Sequence, residues 1–196
     1  GQSVWPEHRE EGDQAEDDVM SVCFDGPVLT QALDLLGAAR LTLRLSSSAE
    51  TGFVVARLCD VAPDGSSVRI AHGMLNLCHH ASMEHPARLV PGQVFDCAFS
   101  IDQMAYRLAP GHHLRLALSN SYWPFVWPSA QQGQLTLVAG ILDLPVHDGT
   151  APGWQPPPSE TAKPWNHKVL RQGRTRRFVE RDLITGRQAL VVDDDL

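Results

Sequence analysis

The sequence predicts an all-β fold arranged as a β-sandwich, and three observations carry that prediction. Apolar and polar residues alternate at 41–46 and again at 114–119, which is typical of strands with one buried face. Short apolar segments are separated by turn sequences, such as Pro-Asp-Gly at 63–65 and Pro-Gly at 110–111. No window keeps the 3.6-residue period of an amphipathic helix for long. At least seven strands separated by turns indicate a sandwich.

Length and composition are those of one ordinary globular domain with attached segments. A chain of 196 residues is too short for two typical domains, yet long enough to fold without a metal or a disulfide. Hydrophobic residues make up 43% and charged residues 20% of the chain. Its formal net charge of −7 argues against a general nucleic-acid binder.

Residues 1–27 are predicted to be an acidic arm or linker. Their first 20 positions hold seven Asp or Glu residues against one Arg and almost no aliphatic side chain, so there is little to bury. The chain begins with Gly1 and shows no basic-then-apolar signal pattern. These features predict a fragment of a longer protein.

Cysteine usage and hydropathy predict a cytoplasmic protein without a membrane segment. Four cysteines without C-x-x-C spacing are too few for a disulfide scaffold, which favours a reducing compartment. The longest uncharged stretch, 116–142, is interrupted by Pro124, Pro128 and several polar residues, so it is not expected to span a bilayer.

The sandwich is predicted to occupy residues 28–147. A continuous apolar run at 53–61 fits a central strand that ends in the Pro-Asp-Gly turn. Further strands are predicted at 68–77, 93–99, 104–108 and 135–146, the last with a break at Gly140, and long loops at 78–92 and 120–133.

The remainder of the chain is predicted to be a Pro-rich linker at 148–167 and basic strands at 168–196 that pack on the sandwich. Short strands are expected at 168–170, 174–183 and 187–192. Eight bases against two acids between Lys163 and Arg187 make this part locally basic. Charge pairs with the acidic arm or a neighbouring domain are favoured over nucleic acid as the partner of these bases.

Two histidine groups are the best metal candidates, and both are interpreted as ordinary loop or surface histidines. They are His79, His80 and His85 in one group and His112 and His113 in the other. Adjacent strand residues point to opposite faces, so neither His-His pair chelates one ion easily. No metal and no cofactor are therefore predicted, and a histidine-based metal enzyme is the least favoured function. A G-x-S-x-G nucleophile elbow is also absent from the sequence, so no catalytic residue is assigned.

The most unusual local feature is an aromatic segment that contains Tyr122, Trp123, Phe125 and Trp127, interrupted by prolines. Such a segment does not form an inner strand, and its rings are costly to leave in water. It either folds back as a lid on the sandwich core or presents an apolar wall to a partner or ligand. From the residues alone, the lid is slightly favoured.

An ordered set of motifs resembles a known family. It consists of Leu35-Leu36-Gly37 before the strand at 41–47, L-x-D-V-x-P-D-G at 58–65, Pro91-Gly92, and P-G-H-x-L-R-L at 110–116. This set resembles the C-terminal, non-catalytic domain of the X-Pro dipeptidyl-peptidase and cocaine-esterase-like (CocE/NonD) serine hydrolases, over about 28–146. The resemblance implies a jelly-roll sandwich of the galactose-binding-like class. It also implies a C-terminus that is trimmed relative to longer members.

The resemblance further implies a partner and a function. The partner is an α/β-hydrolase domain with a Ser-Asp-His triad that lies N-terminal to residue 1, in a parent that hydrolyses peptide, ester or amide bonds. The β-domain is expected to help wall the active-site cleft and support assembly, with Tyr122, Trp123, Phe125 and Trp127 as seam or cleft-wall candidates. Homo-oligomerisation is compatible with this role, whereas nucleic acid and membrane are not expected partners. The alternative is a free-standing carbohydrate- or ligand-binding module, which is weakened because the 120–133 loop offers Asn120 but no carboxylate.

Overall fold

A computed structural model describes residues 13–123, 125–149, 157–162, 168, 172–185 and 188–195. The chain divides into two compact units, residues 1–152 and residues 153–196. The elements of the first unit are α1 (Ala15–Val19), β1 (Val22–Asp25), β2 (Leu33–Ser47), β3 (Phe53–Val61), β4 (Ser67–Asn76), a short 3-10 helix (Leu77–His79), β5 (Val94–Leu108), β6 (His113–Ser119) and β7 (Leu135–Asp143). The second unit contains β8 (Arg174–Arg181) and β9 (Gln188–Asp195). Among the described residues, no helix is long and apolar enough to cross a bilayer.

Two antiparallel sheets form the first unit. One has the strand order β1-β6-β3-β4 and the other β5-β2-β7. Alternate residues of the central strands face a shared core: Leu41, Leu43 and Leu45 from β2, and Val54, Ala56 and Leu58 from β3. The predicted all-β sandwich is therefore confirmed, and the leucine alternation at 41–46 correctly identifies a core strand. The jelly-roll class stays a prediction.

One edge of the sandwich is closed where β4 crosses β5. The β2–β5 register shifts near Ala38 and Arg40, so a bulge in β5 places two residues opposite one. Gly73 of β4 lies against this bulge. A Cβ atom there would stand 2.8 Å from the carbonyl oxygen of Ser100 and 2.9 Å from the Cα of Ile101. The two strands therefore approach this closely only because Gly73 has no side chain.

The opposite edge of the sandwich is open. Between the β1/β6 side and β7 lies an apolar groove of about 460 Å³, lined by leucines of both sheets and by Phe24 and Ile141. A smaller cavity of about 230 Å³ shares Leu43, Leu118 and Leu137 with it. On this side the lining residues Leu114, Leu116 and Leu137 are only partly buried.

Three local features differ from the sequence expectation. The strands predicted at 93–99 and 104–108 are one strand, β5. The bulge accommodates the residues between the two predicted segments without ending the strand. The break predicted at Gly140 is wrong, because Gly140 lies inside β7 and pairs with Leu43. The described part of the predicted acidic arm, from Asp13 onward, forms α1 and β1, and β1 pairs with β6.

In the second unit, basic residues of β8 lie opposite acidic residues of β9. The β8–β9 register places Arg174 across from Asp195 and Arg176 across from Asp193. Arg174 and Arg176 thus lie opposite acidic residues of the same hairpin, and the pairing of the basic strands with the acidic arm or a neighbouring domain stays a prediction. Lys168 is outside any strand, whereas residues 163–167, 169–171 and 186–187 fall outside the described residues. The packing of these strands on the sandwich stays a prediction.

All four cysteines are free thiols. Cys59 and Cys97 are buried, and desolvation raises the pKa of each to about 11. Both therefore behave as small apolar core residues.

Replacement of Gly73 by Ala is expected to destabilise the sandwich by about 1–3 kcal/mol, because β4 or β5 must move to admit the methyl group. The control is Gly52→Ala, whose new Cβ would lie 3.8 Å from Leu77 Cδ1, an ordinary contact. Denaturant unfolding of both variants measures the difference. Equal stability of the two variants would contradict the close approach at Gly73.

Candidate functional site

The aromatic loop, defined here as residues 121–127 without the undescribed position 124, divides its side chains between two directions. Tyr122 and Val126 are each only 7% exposed and pack on Val55 of β3. Trp123, Phe125 and Trp127 are 62%, 48% and 76% exposed. A hydrogen bond of 2.8 Å from the Val126 amide to the Tyr122 carbonyl closes a turn between the two buried anchors. The loop is thus fastened to the sheet while its larger rings face outward.

Tyr122 anchors the loop through its hydroxyl group and its ring. The hydroxyl donates to Gln14 Oε1 at 2.9 Å and accepts a hydrogen bond from Arg69 Nη1. The ring stacks on Phe125, with centroids 5.0 Å apart and an interplanar angle of 15°. Burial raises the pKa of Tyr122, so the hydroxyl stays protonated and able to donate.

Beneath the loop lies Arg57, whose side chain is 1% exposed. Its neighbours Ala56 and Leu58 face the sandwich core, so strand alternation places Arg57 on the outer face of the sheet. The guanidinium donates to Gln14 Oε1 at 2.9 Å through Nη1 and to Ser21 Oγ at 3.0 Å through Nη2. Its Cζ also lies 5.4 Å from the centroid of the Tyr122 ring.

Asp18 of α1 neutralises this buried charge. Its Oδ1 lies 3.0 Å from Arg57 Nη2, and its side chain is only 4% exposed. The other carboxylate oxygen accepts from Ser67 Oγ at 2.7 Å and from Arg115 Nη1 at 3.1 Å. Arg115 in turn donates to both oxygens of Asp25 at 2.6 and 2.8 Å. One polar network thus joins α1 to β1, β3, β4 and β6.

The outer part of the loop rests on two basic side chains of β4. The Cζ of Arg69 lies 4.6 Å from the centroid of Phe125, and the ring of His72 lies 5.2 Å from it. His72 also places Nδ1 3.3 Å from Asp102 Oδ2 on β5. Burial lowers the pKa of His72, Asp102 opposes that shift, and Arg69 adds to it. The neutral imidazole is therefore favoured where Phe125 covers it.

The outward rings of Trp123, Phe125 and Trp127 are together called the aromatic surface. Trp123 and Trp127 meet edge to face, with centroids 5.2 Å apart and an interplanar angle of 68°. Of the four residues selected from the sequence, Tyr122 is buried against its own domain, whereas the side chains of Trp123, Phe125 and Trp127 are exposed. The assignment of these residues to a domain seam or cleft wall stays a prediction.

A second polar cluster escaped the sequence analysis. Buried Asp60 of β3 accepts hydrogen bonds from Tyr106 of β5 at 2.9 Å and from His112 Nδ1 at 2.8 Å. Burial and the hydrogen bond to Asp60 raise the pKa of Tyr106 to about 12. Asp60 and His112 belong to the two motifs L-x-D-V-x-P-D-G and P-G-H-x-L-R-L, and this membership is the signal that could have paired them. The cluster ties one sheet to the other at the end of the sandwich.

The candidate metal histidines are engaged in other contacts. His79 and His80 each place Nδ1 near a carbonyl oxygen, of Ser82 and Leu77 respectively. His112 and His113 lie near Asp60 and Asp25, at 2.8 and 3.5 Å. Among the described residues, no group of three His, Cys, Asp or Glu side chains is arranged to hold a metal.

Comparison with known proteins identifies the family. Residues 2–180 match the family described as the X-Pro dipeptidyl-peptidase C-terminal non-catalytic domain. The chain belongs to this family. The resemblance seen in the motifs between 35 and 119 is thereby confirmed.

The relatives are larger hydrolases. The cocaine esterase of Rhodococcus sp. (strain MB1 Bresler) is 28% identical over 108 residues, which cover 55% of this chain and 18% of the esterase. An aminopeptidase from a marine sediment Thaumarchaeota archaeon superimposes with a TM-score of 0.64 at 15% identity, over 70% of this chain and 28% of that one. A CocE/NonD family hydrolase from Staphylococcus aureus gives a TM-score of 0.58 at 15% identity, over 69% of this chain and 32% of that one. This chain thus spans less than a third of each of these proteins, and the two structures establish the shared fold.

Removal of the Asp18 carboxylate is expected to destabilise the domain by about 3–5 kcal/mol, because it leaves the Arg57 charge buried without its counterion. Asp18→Ala tests this by denaturant unfolding. The exposed neighbour in the same helix supplies the control, since Glu16→Gln should change stability by no more than about 0.5 kcal/mol. A loss below about 1 kcal/mol for Asp18→Ala would disprove the role of the ion pair.

Acidification is expected to weaken the domain through His72. Its pKa is lowered in the folded state from the ordinary 6.5, so the unfolded chain takes up the proton first as the pH falls. The contribution of neutral His72 is complete above about pH 6.5 and is lost as the pH falls through the lowered value. Between about pH 7.5 and about pH 5.5, the Tm of wild type should therefore fall more than that of His72→Gln. His85→Gln, at a loop side chain that is 82% exposed, should follow wild type. Parallel decline of all three proteins would refute this prediction.

Proposed function

We propose that this domain is the accessory C-terminal β-sandwich of a CocE/NonD-type serine hydrolase and that its aromatic loop forms part of the seam with the catalytic domain. In this proposal the loop also helps wall the active-site cleft and support assembly. The parent hydrolyses peptide, ester or amide bonds, whereas this chain supplies no nucleophile. Membership of a non-catalytic domain family agrees with that division of labour.

The observation that carries the proposal is the contrast within the aromatic loop. Its anchors are buried and hydrogen-bonded, yet Trp123 and Trp127 expose 62% and 76% of their surface. A loop that merely capped the core would turn its largest rings inward, because indole rings contribute most when they are buried. Exposed aromatic clusters on an ordered scaffold are typical of interfaces, where Trp and Tyr are enriched.

The position of the first described residues also supports a seam on the side of the sandwich that carries the aromatic loop. In a C-terminal domain, the catalytic part of the protein precedes the matched residues. The described part of the domain begins at Asp13 and Gln14, and Gln14 is hydrogen-bonded to Tyr122 of the aromatic loop. The chain therefore enters the described domain beside the loop, on the side where the proposal puts the seam.

The carbohydrate-binding alternative finds less support in the loop. The side-chain amide of Asn120, the polar group that the 120–133 loop offers to such a ligand, donates to the Gly133 carbonyl at 3.0 Å. Trp123 and Trp127 meet edge to face and do not form one flat stacking platform. These contacts favour the aromatic surface as a protein seam.

Trp127→Ser is expected to reduce self-association of the isolated chain, because the chain exposes an apolar surface that the catalytic domain covers in the parent. The free energy of unfolding should change by only about 0.5 kcal/mol, since the ring is exposed. Sedimentation velocity and denaturant melts measure the two quantities. The control is Tyr122→Ala, which removes a buried ring and should cost about 3–5 kcal/mol. A large stability loss for Trp127→Ser with unchanged association would refute the seam.

A further inference from the structure

We infer that Arg57 is a positioning residue that locks the approach segment, defined as residues 13–21, and the aromatic loop into one cooperative unit. The aromatic surface then keeps its outward arrangement only while the approach segment is seated. The use of that surface rests on the proposed function, whereas the coupling concerns contacts within this chain alone.

The coupling begins at a single oxygen atom. Gln14 Oε1 accepts from Arg57 Nη1 and from the Tyr122 hydroxyl, each at 2.9 Å. Gln14 is 8% exposed, so water does not readily replace either bond. Removal of Gln14 would leave two donors unpaired at once, one on the strand and one on the loop.

The same guanidinium holds the approach segment on both sides of α1. It binds Gln14 before the helix and Ser21 after it, and it pairs with Asp18 within the helix. The backbone N–H of Gln14 also donates a hydrogen bond of 2.7 Å to the backbone carbonyl of Ser67. A helix of five residues has little stability of its own, so its position on the sheet depends on these contacts together with the bonds from Ser67 and Arg115 to Asp18.

The loop is held by the same cluster from the other side. The Tyr122 ring lies 5.4 Å from the Cζ of Arg57 and 5.5 Å from that of Arg69. If the approach segment leaves, the Tyr122 hydroxyl loses its acceptor and the Arg57 charge loses its carboxylate. Because buried unpaired polar groups are strongly disfavoured, the Tyr122 hydroxyl and the Arg57 guanidinium must then become accessible to water, which requires the loop to open. Opening of one segment therefore promotes opening of the other.

Amide hydrogen exchange on the full 196-residue chain tests the coupling across the two segments. The probe on the loop is the Val126 amide, which is bonded to Tyr122, and the probe on the approach segment is the Asp18 amide, which is bonded to Gln14. Gln14→Ala should accelerate exchange at Val126 at least about tenfold, and Tyr122→Phe should do the same at Asp18. Each effect is taken relative to the Leu58 amide in the core, so that a general loss of stability is removed.

Two controls belong to the same elements. Glu16→Gln in α1 and Trp123→Ser in the loop alter exposed side chains outside the network, and they should leave the opposite segment unchanged. Acceleration that stays within the mutated segment, or that equals the change at Leu58, would overturn the coupling. A large stability loss for Trp127→Ser with unchanged association would overturn the seam and leave the coupling intact, so the two proposals fail separately.

Discussion

A buried positive charge on the outer face of a sheet has to be covered, and much of this domain follows from that requirement. Arg57 lies in the middle of β3 with its guanidinium 1% exposed, so it needs a counterion and several acceptors. Asp18 supplies the charge, and Gln14 and Ser21 supply the oxygens. These three residues bring α1 onto the sheet, and Gln14 brings the aromatic loop with it. The outward position of the two tryptophans is a consequence of how the loop is fastened beneath them.

The sheets could be predicted from the sequence because strand alternation is a local signal. The leucine rows at 41–46 and 114–119 needed only their neighbours to reveal a buried face. The approach segment could not be predicted in the same way. Its acidic composition is that of a solvated arm, and the partners of Asp18 are Arg57, Ser67 and Arg115, all far along the chain. The β5 bulge was also hidden, since it lies in the β2–β5 register and against Gly73 of β4, and both contacts join residues far apart in the sequence.

In the candidate site, too, features within one segment could be predicted from the sequence, whereas contacts between distant segments could not. Four aromatic residues in one loop are visible in the sequence, but their division into anchors and exposed rings depends on Arg69 and Gln14, which lie on other elements. Asp60 and His112 each belong to one of the family motifs, yet only the fold brings the two residues together. The motifs show only that these residue types occur in the sequence, whereas the structure shows that the two side chains are hydrogen-bonded to each other.

The alternation of β3 has a consequence for changes in chain length. Arg57 faces the outer layer and Asp60 faces the opposite sheet, where it meets Tyr106. A deletion or insertion of one residue between them would reverse the face of one of these anchors relative to the other. Such a change would misplace either the guanidinium or the carboxylate, whatever amino acids were involved. Natural length variation should therefore accumulate in the turn at 62–66 and spare the interior of β3.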